Sequence, residues 1–137
     1  MGEIRARVKL TNAFDEELAS SGKLAREEIR QVEVDGVVDT GAVSCMLPAH
    51  VVEKLGLRIR GRRVARYADG RNDAVGVTSS VLFEILDRNT IEDALVLGDE
   101  VLIGQTILEK LDLLADCAGQ RLIPNPARPN QPVLNVR

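Results

Sequence analysis

The chain has 137 residues, a net charge of −3 and 45% hydrophobic residues, with Phe14, Tyr67 and Phe83 as its only aromatics. That composition describes one globular unit, 1–137, whose core is built from Val, Leu, Ile and Ala; it leans towards β structure and gives no bulk reason to expect a nucleic-acid partner. No apolar stretch is long enough to span a membrane, and the N-terminus has neither a signal-peptide core nor a myristoylation pattern, so no membrane partner and a cytoplasmic location are expected.

From Glu3 to Leu10 the residues alternate, with Ile4, Ala6, Val8 and Leu10 on one face and charges on the other, which predicts a half-buried strand. The following segment, 11–31, reads as an insertion with a short helix from Ala13 to Ala19, closed by Ser20-Ser21-Gly22. Residues 32–39 return to strand, and Val43 to Leu47 predict another after the break at Asp39. Pro48 then starts a helix with Val51, Val52 and Leu55 on one side and Gly56 as its stop.

Residues 57–86 read as two long strands joined at Ala68-Asp69-Gly70-Arg71, because Asp-Gly between strands favours a hairpin turn. Ile91 to Gly98 predict one further strand. Leu102-Ile103-Gly104 predict a strand and turn leading into a helix that carries Ile107, Leu108 and Leu111. A closing hairpin is expected around Ala118-Gly119, followed by an extended, proline-rich tail at 124–137. Cys45 and Cys117 lie in apolar surroundings, and two buried, reduced thiols are expected.

The segment Asp39-Thr40-Gly41-Ala42 puts a carboxylate and a turn between two apolar runs. A buried, unpaired charge costs several kcal/mol, roughly, unless it is neutralised or shared. With the hairpin and the Leu102-Ile103-Gly104 element that follow, the sequence resembles the retropepsin-like aspartic proteases over residues 32–124. The resemblance implies a mostly β acid-protease barrel with one flap hairpin and two or three short helices.

It also implies an aspartic endopeptidase acting on peptides or proteins as a homodimer, with Asp39 from each chain as the catalytic pair. Thr40 would hydrogen-bond across the dimer axis, Gly41 would let the backbones approach, and Ala42 is small as the pattern requires. The flap would be the hairpin containing Tyr67, Ala68, Asp69 and Gly70. No metal or organic cofactor is implied. The chain departs from the retroviral pattern at Gln105, where arginine is usual, and in carrying a single glycine at the flap tip.

The alternative within the same fold is a non-catalytic dimerisation or peptide-binding module. His50 and Glu53 form a His-x-x-Glu that reads as solvent-exposed, since no other histidine exists to complete a metal site. Arg58, Arg60, Arg62, Arg63, Arg66 and Arg71 form a basic stretch that reads as the solvent face of a strand, given the acidic total charge and scarce aromatics.

Overall fold

The computed structural model describes residues 3–136; Met1, Gly2 and Arg137, the ends of the expected unit, lie outside the described residues. Strand β1, Ile4–Asn12, keeps the alternation expected of it and buries Val8 and Leu10 completely. It pairs antiparallel with β2, Gln31–Val38, from Ile4↔Val38 to Thr11↔Gln31. Residues 13–30, most of the expected 11–31 insertion, are therefore the connection of this hairpin.

That connection is fastened by side chains. Asn12 caps helix α1, Ala13–Ser20, by accepting the Asp15 N–H at 3.1 Å, and its amide donates to the Leu55 carbonyl at 2.9 Å. Asp15 is buried and accepts two hydrogen bonds from the Arg30 guanidinium, at 2.9 and 3.0 Å, which hold its carboxyl below the usual range. A single 3-10 turn, Arg26–Glu28, leads back to β2.

After β2 come β3, Met46–Leu47, and helix α2, Ala49–Lys54, which begins after Pro48 and buries Val51 and Val52. Next are β4, Ile59–Arg66, β5, Asn72–Thr78, β6, Val81–Ile85, β7, Arg88–Glu92, and β8, Leu95–Val96. Strand β9, Leu102–Ile103, helix α3, Gln105–Leu111, and the hairpin of β10, Leu113–Asp116, with β11, Arg121–Pro124, complete the order. Nine strands form one curled sheet in the order β4-β5-β8-β3-β9-β2-β1-β6-β7. The mostly β architecture with three short helices is the one expected.

Three strand expectations need correction. Of Val43 to Leu47 only Met46 and Leu47 are strand, because the Ala42 and Val43 carbonyls accept the first amides of α3 instead. The second of the two long strands is really β5 and β6, parted at Ser79-Ser80, where the chain leaves β8 and joins β1. The expected strand from Ile91 is split by Asp93-Ala94 between β7 and β8. Cys45 is buried as expected, whereas Cys117 sits exposed in the β10–β11 turn; both thiols are free.

Beneath the sheet, Leu47, Leu55, Phe83, Ile103, Ile107 and Leu111 are almost fully buried, each contributing about 2 kcal/mol from apolar surface removed from water. No helix among the described residues is long and apolar enough to cross a membrane.

Of the tail expected at 124–137, Pro124 belongs to β11, while residues 125–136 carry no helix or strand and Asp112 ties them down. Its carboxylate accepts from the Arg128 guanidinium at 2.6 and 2.9 Å, from Asn125 Nδ2 at 3.1 Å and from the Val133 N–H at 3.1 Å. Buried Arg88 closes the same corner by donating to the Leu111 and Asp112 carbonyls at the end of α3.

The Arg128 hydrogen bonds hold the Asp112 carboxyl far below its ordinary range. A depressed folded-state pKa stabilises the fold fully above the unfolded carboxylate range and is lost as pH falls towards the folded value. Asp112→Asn is therefore expected to lower Tm at neutral pH, with the gap to wild type closing as pH drops below about 4. Thermal melts across that range check it, and a gap independent of pH would reject the charge-based account.

Candidate active site

Asp39 follows β2 without a break. Val37 and Val38 pair in parallel with Leu102 and Ile103, and the Asp39 N–H donates to the Ile103 carbonyl at 3.0 Å. Met46 pairs with Leu102 from the other side, so β9 lies between the two strands that the Asp39 loop connects. Inside the loop Asp39 Oδ1 accepts the Gly41 N–H at 2.9 Å, and the Asp39 carbonyl accepts the Ala42 N–H at 3.2 Å. The carboxylate thus shapes its own turn.

Helix α3 braces the far side. Its first amides have no partner within the helix, and those of Gln105 and Thr106 donate to the Ala42 and Val43 carbonyls at 2.7 and 3.1 Å. Gly104 makes this approach possible. A Cβ built there would lie 2.5 Å from the Ser44 carbonyl oxygen and 2.8 Å from that of Val43. Its φ is −91°, so lack of space rather than backbone conformation calls for glycine.

The Gly104 N–H donates to Cys45 Sγ at 3.3 Å. Burial pushes that thiol up to about 11, so it is protonated at neutral pH and serves the loop as a packed, neutral acceptor rather than as a nucleophile.

The structure brings together Asp39, Thr40, Gly41 and Ala42 with Leu102, Ile103 and Gly104. In the single chain Asp39 and Thr40 are exposed, and the burial expected of Asp39 rests on a second chain. Val43, just beyond them, is 72% exposed although apolar. The flanking hydrophobic runs belong to the core, while the loop itself stands at the surface.

Asp39 lines an open cleft of ≈ 310 Å³ with Val37, Met46, Leu97 and Leu102, and with the carboxylates of Glu3, Asp99 and Glu100. Arg5 donates to Glu100 at 2.7 Å and pairs with Glu3 at 3.0 Å and with Asp35 at 3.3 Å, offsetting part of this negative charge. No basic side chain pairs with Asp39 itself among the described residues. The sequence carried little signal for Glu3, Asp99 and Glu100, because each reads as an ordinary surface acid.

Tyr67, Ala68, Asp69 and Gly70 do not line that cleft. They form the tip of the β4–β5 hairpin, where the Gly70 N–H donates to the Tyr67 carbonyl at 2.9 Å and Gly70 takes φ +86°. This is a three-residue loop in which glycine supplies the left-handed position. Arg71 stacks over the Tyr67 ring at 4.5 Å. The hairpin joins the rest of the sheet at Val77↔Leu95, so its tip reaches ~20 Å beyond that anchor at about 3.3 Å per residue. His50 and Glu53 are exposed, as expected.

A family model described as aspartyl protease matches residues 25–107, more than half of the chain. No curated protein matches the sequence. Among solved structures, the retroviral protease-like domain of Ddi1 from Leishmania major is similar in fold, with a TM-score of 0.59 and 18% identity over 98% of this chain and 96% of that one.

Proposed function

The chain belongs to the aspartyl protease family, and from that membership we propose that it is an aspartic endopeptidase that works as a homodimer. The observation that carries this reading is the exposed Asp39 carboxylate, on a loop locked by β9 and α3, beside a cleft lined by both apolar and acidic side chains. Each chain offers one such aspartate, and a pair requires a second chain related by a two-fold axis. Thr40 and Val43, exposed beside Asp39, are the residues such a partner would cover.

Two carboxyl groups at close range cannot both ionise, so the pair shares one proton. The ionised Asp39 takes a proton from water as the water oxygen attacks the scissile carbonyl carbon. The protonated Asp39 donates to the carbonyl oxygen. The resulting gem-diol collapses as the leaving nitrogen gains a proton and the C–N bond breaks. The substrate lies extended across the pair under the hairpin tip, with an apolar side chain against Val37, Met46 and Leu102. Two free cysteines support a reducing, cytoplasmic setting.

The test is the rate per chain on a diverse peptide mixture as protein is diluted, with mass in solution measured alongside. The rate is expected to fall as dimer gives way to monomer. Cleavage at full rate by a demonstrated monomer would overturn the shared-pair mechanism. A stable dimer silent from about pH 4 to 8 would leave a peptide-binding module of the same fold.

A further inference from the structure

The cleft beside Asp39 has an apolar floor and an acidic rim, and the two come from different parts of the chain. Val37 stands opposite Arg5 of β1, Leu102 opposite Val37, and Met46 opposite Leu102, so these three side chains share one face of the sheet. Each is only half-buried, and with Leu97 they leave apolar surface open to the cleft of ≈ 310 Å³. The rim is supplied by Glu3, just before β1, and by Asp99 and Glu100 in the loop from β8 to β9.

That loop is fixed at both ends. The Leu97 N–H donates to the Leu47 carbonyl at 3.1 Å, and the carbonyl of buried Val101 accepts the Val37 N–H at 2.9 Å. Between them Gly98 takes φ +80°, a turn that glycine makes without strain. The backbone therefore presents Asp99 and Glu100 to the cleft from a pinned segment.

Charge is not balanced there. The one guanidinium of Arg5 serves the carboxylates of Glu3, Asp35 and Glu100 together, the last at 2.7 Å. Asp99 is exposed and makes no ion pair among the described residues. A rim of acids alone would serve to keep anionic peptides away. Acids continuous with an apolar floor fit one kind of side chain, a long methylene stem that ends in a cation.

We propose, resting on the endopeptidase reading above, that the cleft selects substrates with Lys or Arg two positions from the residue that flanks the scissile bond. The flanking residue lays its apolar side chain on Val37, Met46 and Leu102. In an extended chain the residue two positions away points to the same side, ~7 Å further along. Its stem crosses Leu97 and its cationic head meets Asp99 and Glu100. The two-fold axis repeats the cleft in the partner for the other side of the bond. The preferred segment is therefore basic–x–apolar–apolar–x–basic, cut between the apolar residues. Asp99 and Glu100 determine this specificity, and the proton transfers at Asp39 do not use them.

The probes are two fluorescein-labelled peptides of that pattern, one with Lys and one with Glu at both outer positions. They are titrated with full-length Asp39→Asn protein while anisotropy is read, and wild type receives the same pair unlabelled, with cuts read by mass spectrometry. The Lys peptide is expected to bind about tenfold or more tighter at low salt, the gap narrowing as salt rises. Asp99→Lys changes an exposed side chain with no ion pair to lose, and is expected to remove or reverse the preference at unchanged Tm. Glu27→Lys, exposed at the other end of the β1–β2 hairpin, makes the same change in net charge and is expected to leave the preference intact. Equal binding of the two peptides, no binding of either at low salt, or an equal effect of Glu27→Lys and Asp99→Lys would each overturn the proposal. A preference that follows Asp99 while wild type cuts neither peptide upholds the cleft assignment and ends the endopeptidase reading. Cuts by wild type that ignore charge do the reverse.

Discussion

Asp39→Asn is expected to lower peptide hydrolysis by about 10⁴-fold or more while leaving Tm nearly unchanged. Asp39 is exposed and pairs with no basic side chain among the described residues, so the fold loses little with its charge. The asparagine oxygen still accepts the Gly41 N–H, which keeps the turn. What disappears is the group that takes a proton from water. Mixing sharpens the test. In an equimolar, fully exchanged mixture of wild type and variant, about a quarter of the dimers carry both carboxyl groups, and activity per total chain falls to that fraction. A fall to one half would mean that each chain works with its own Asp39 alone. Retained hydrolysis by the pure variant would end the aspartic mechanism altogether.

The fold and the loop were largely legible in the sequence because local signals agreed with tertiary ones. The alternation in β1, Pro48 before α2, Gly56 at φ +62° after it and Asp69-Gly70 at the hairpin tip each favour locally what the sheet requires globally. The misreadings have equally physical causes. Val75, Val77, Val81, Phe83 and Ile85 keep a period of two straight through Ser79-Ser80, so a chain that changes neighbours there looks like one uninterrupted strand. The β6–β7 turn is made by Leu86 and Asp87 at φ 51° and 63°, where glycine or asparagine would have announced it. Asp39, expected to be buried against a second Asp39, is exposed in the single chain. Hydropathy reports that a segment avoids water, not whether its own core or a second chain shields it.

Gly104→Ala is expected to destabilise the protein by about 3 kcal/mol and to damage the site together with the fold. The added methyl would meet backbone atoms of Ser44 and Val43, which cannot rotate away as a side-chain tip can. Either α3 retreats, giving up the Gln105 and Thr106 hydrogen bonds to the loop, or residues 43–44 shift and carry Asp39 with them. Positioning errors of about 1 Å in a catalytic group cost rate by roughly 10²-fold, so kcat is expected to drop even in the folded fraction. Gly61→Ala is the control, because no atom lies within 4 Å of a Cβ there and the backbone is not in the left-handed region; it should change stability by under about 0.5 kcal/mol. Urea midpoints and single-turnover rates for both variants decide the matter. If Gly104→Ala unfolds at the wild-type midpoint, the loop has room that the backbone contacts deny, and Asp39 is not held by α3. If it is destabilised but turns over normally when folded, the helix supports the core and the loop orients its carboxylate through β9 and the Gly41 turn alone.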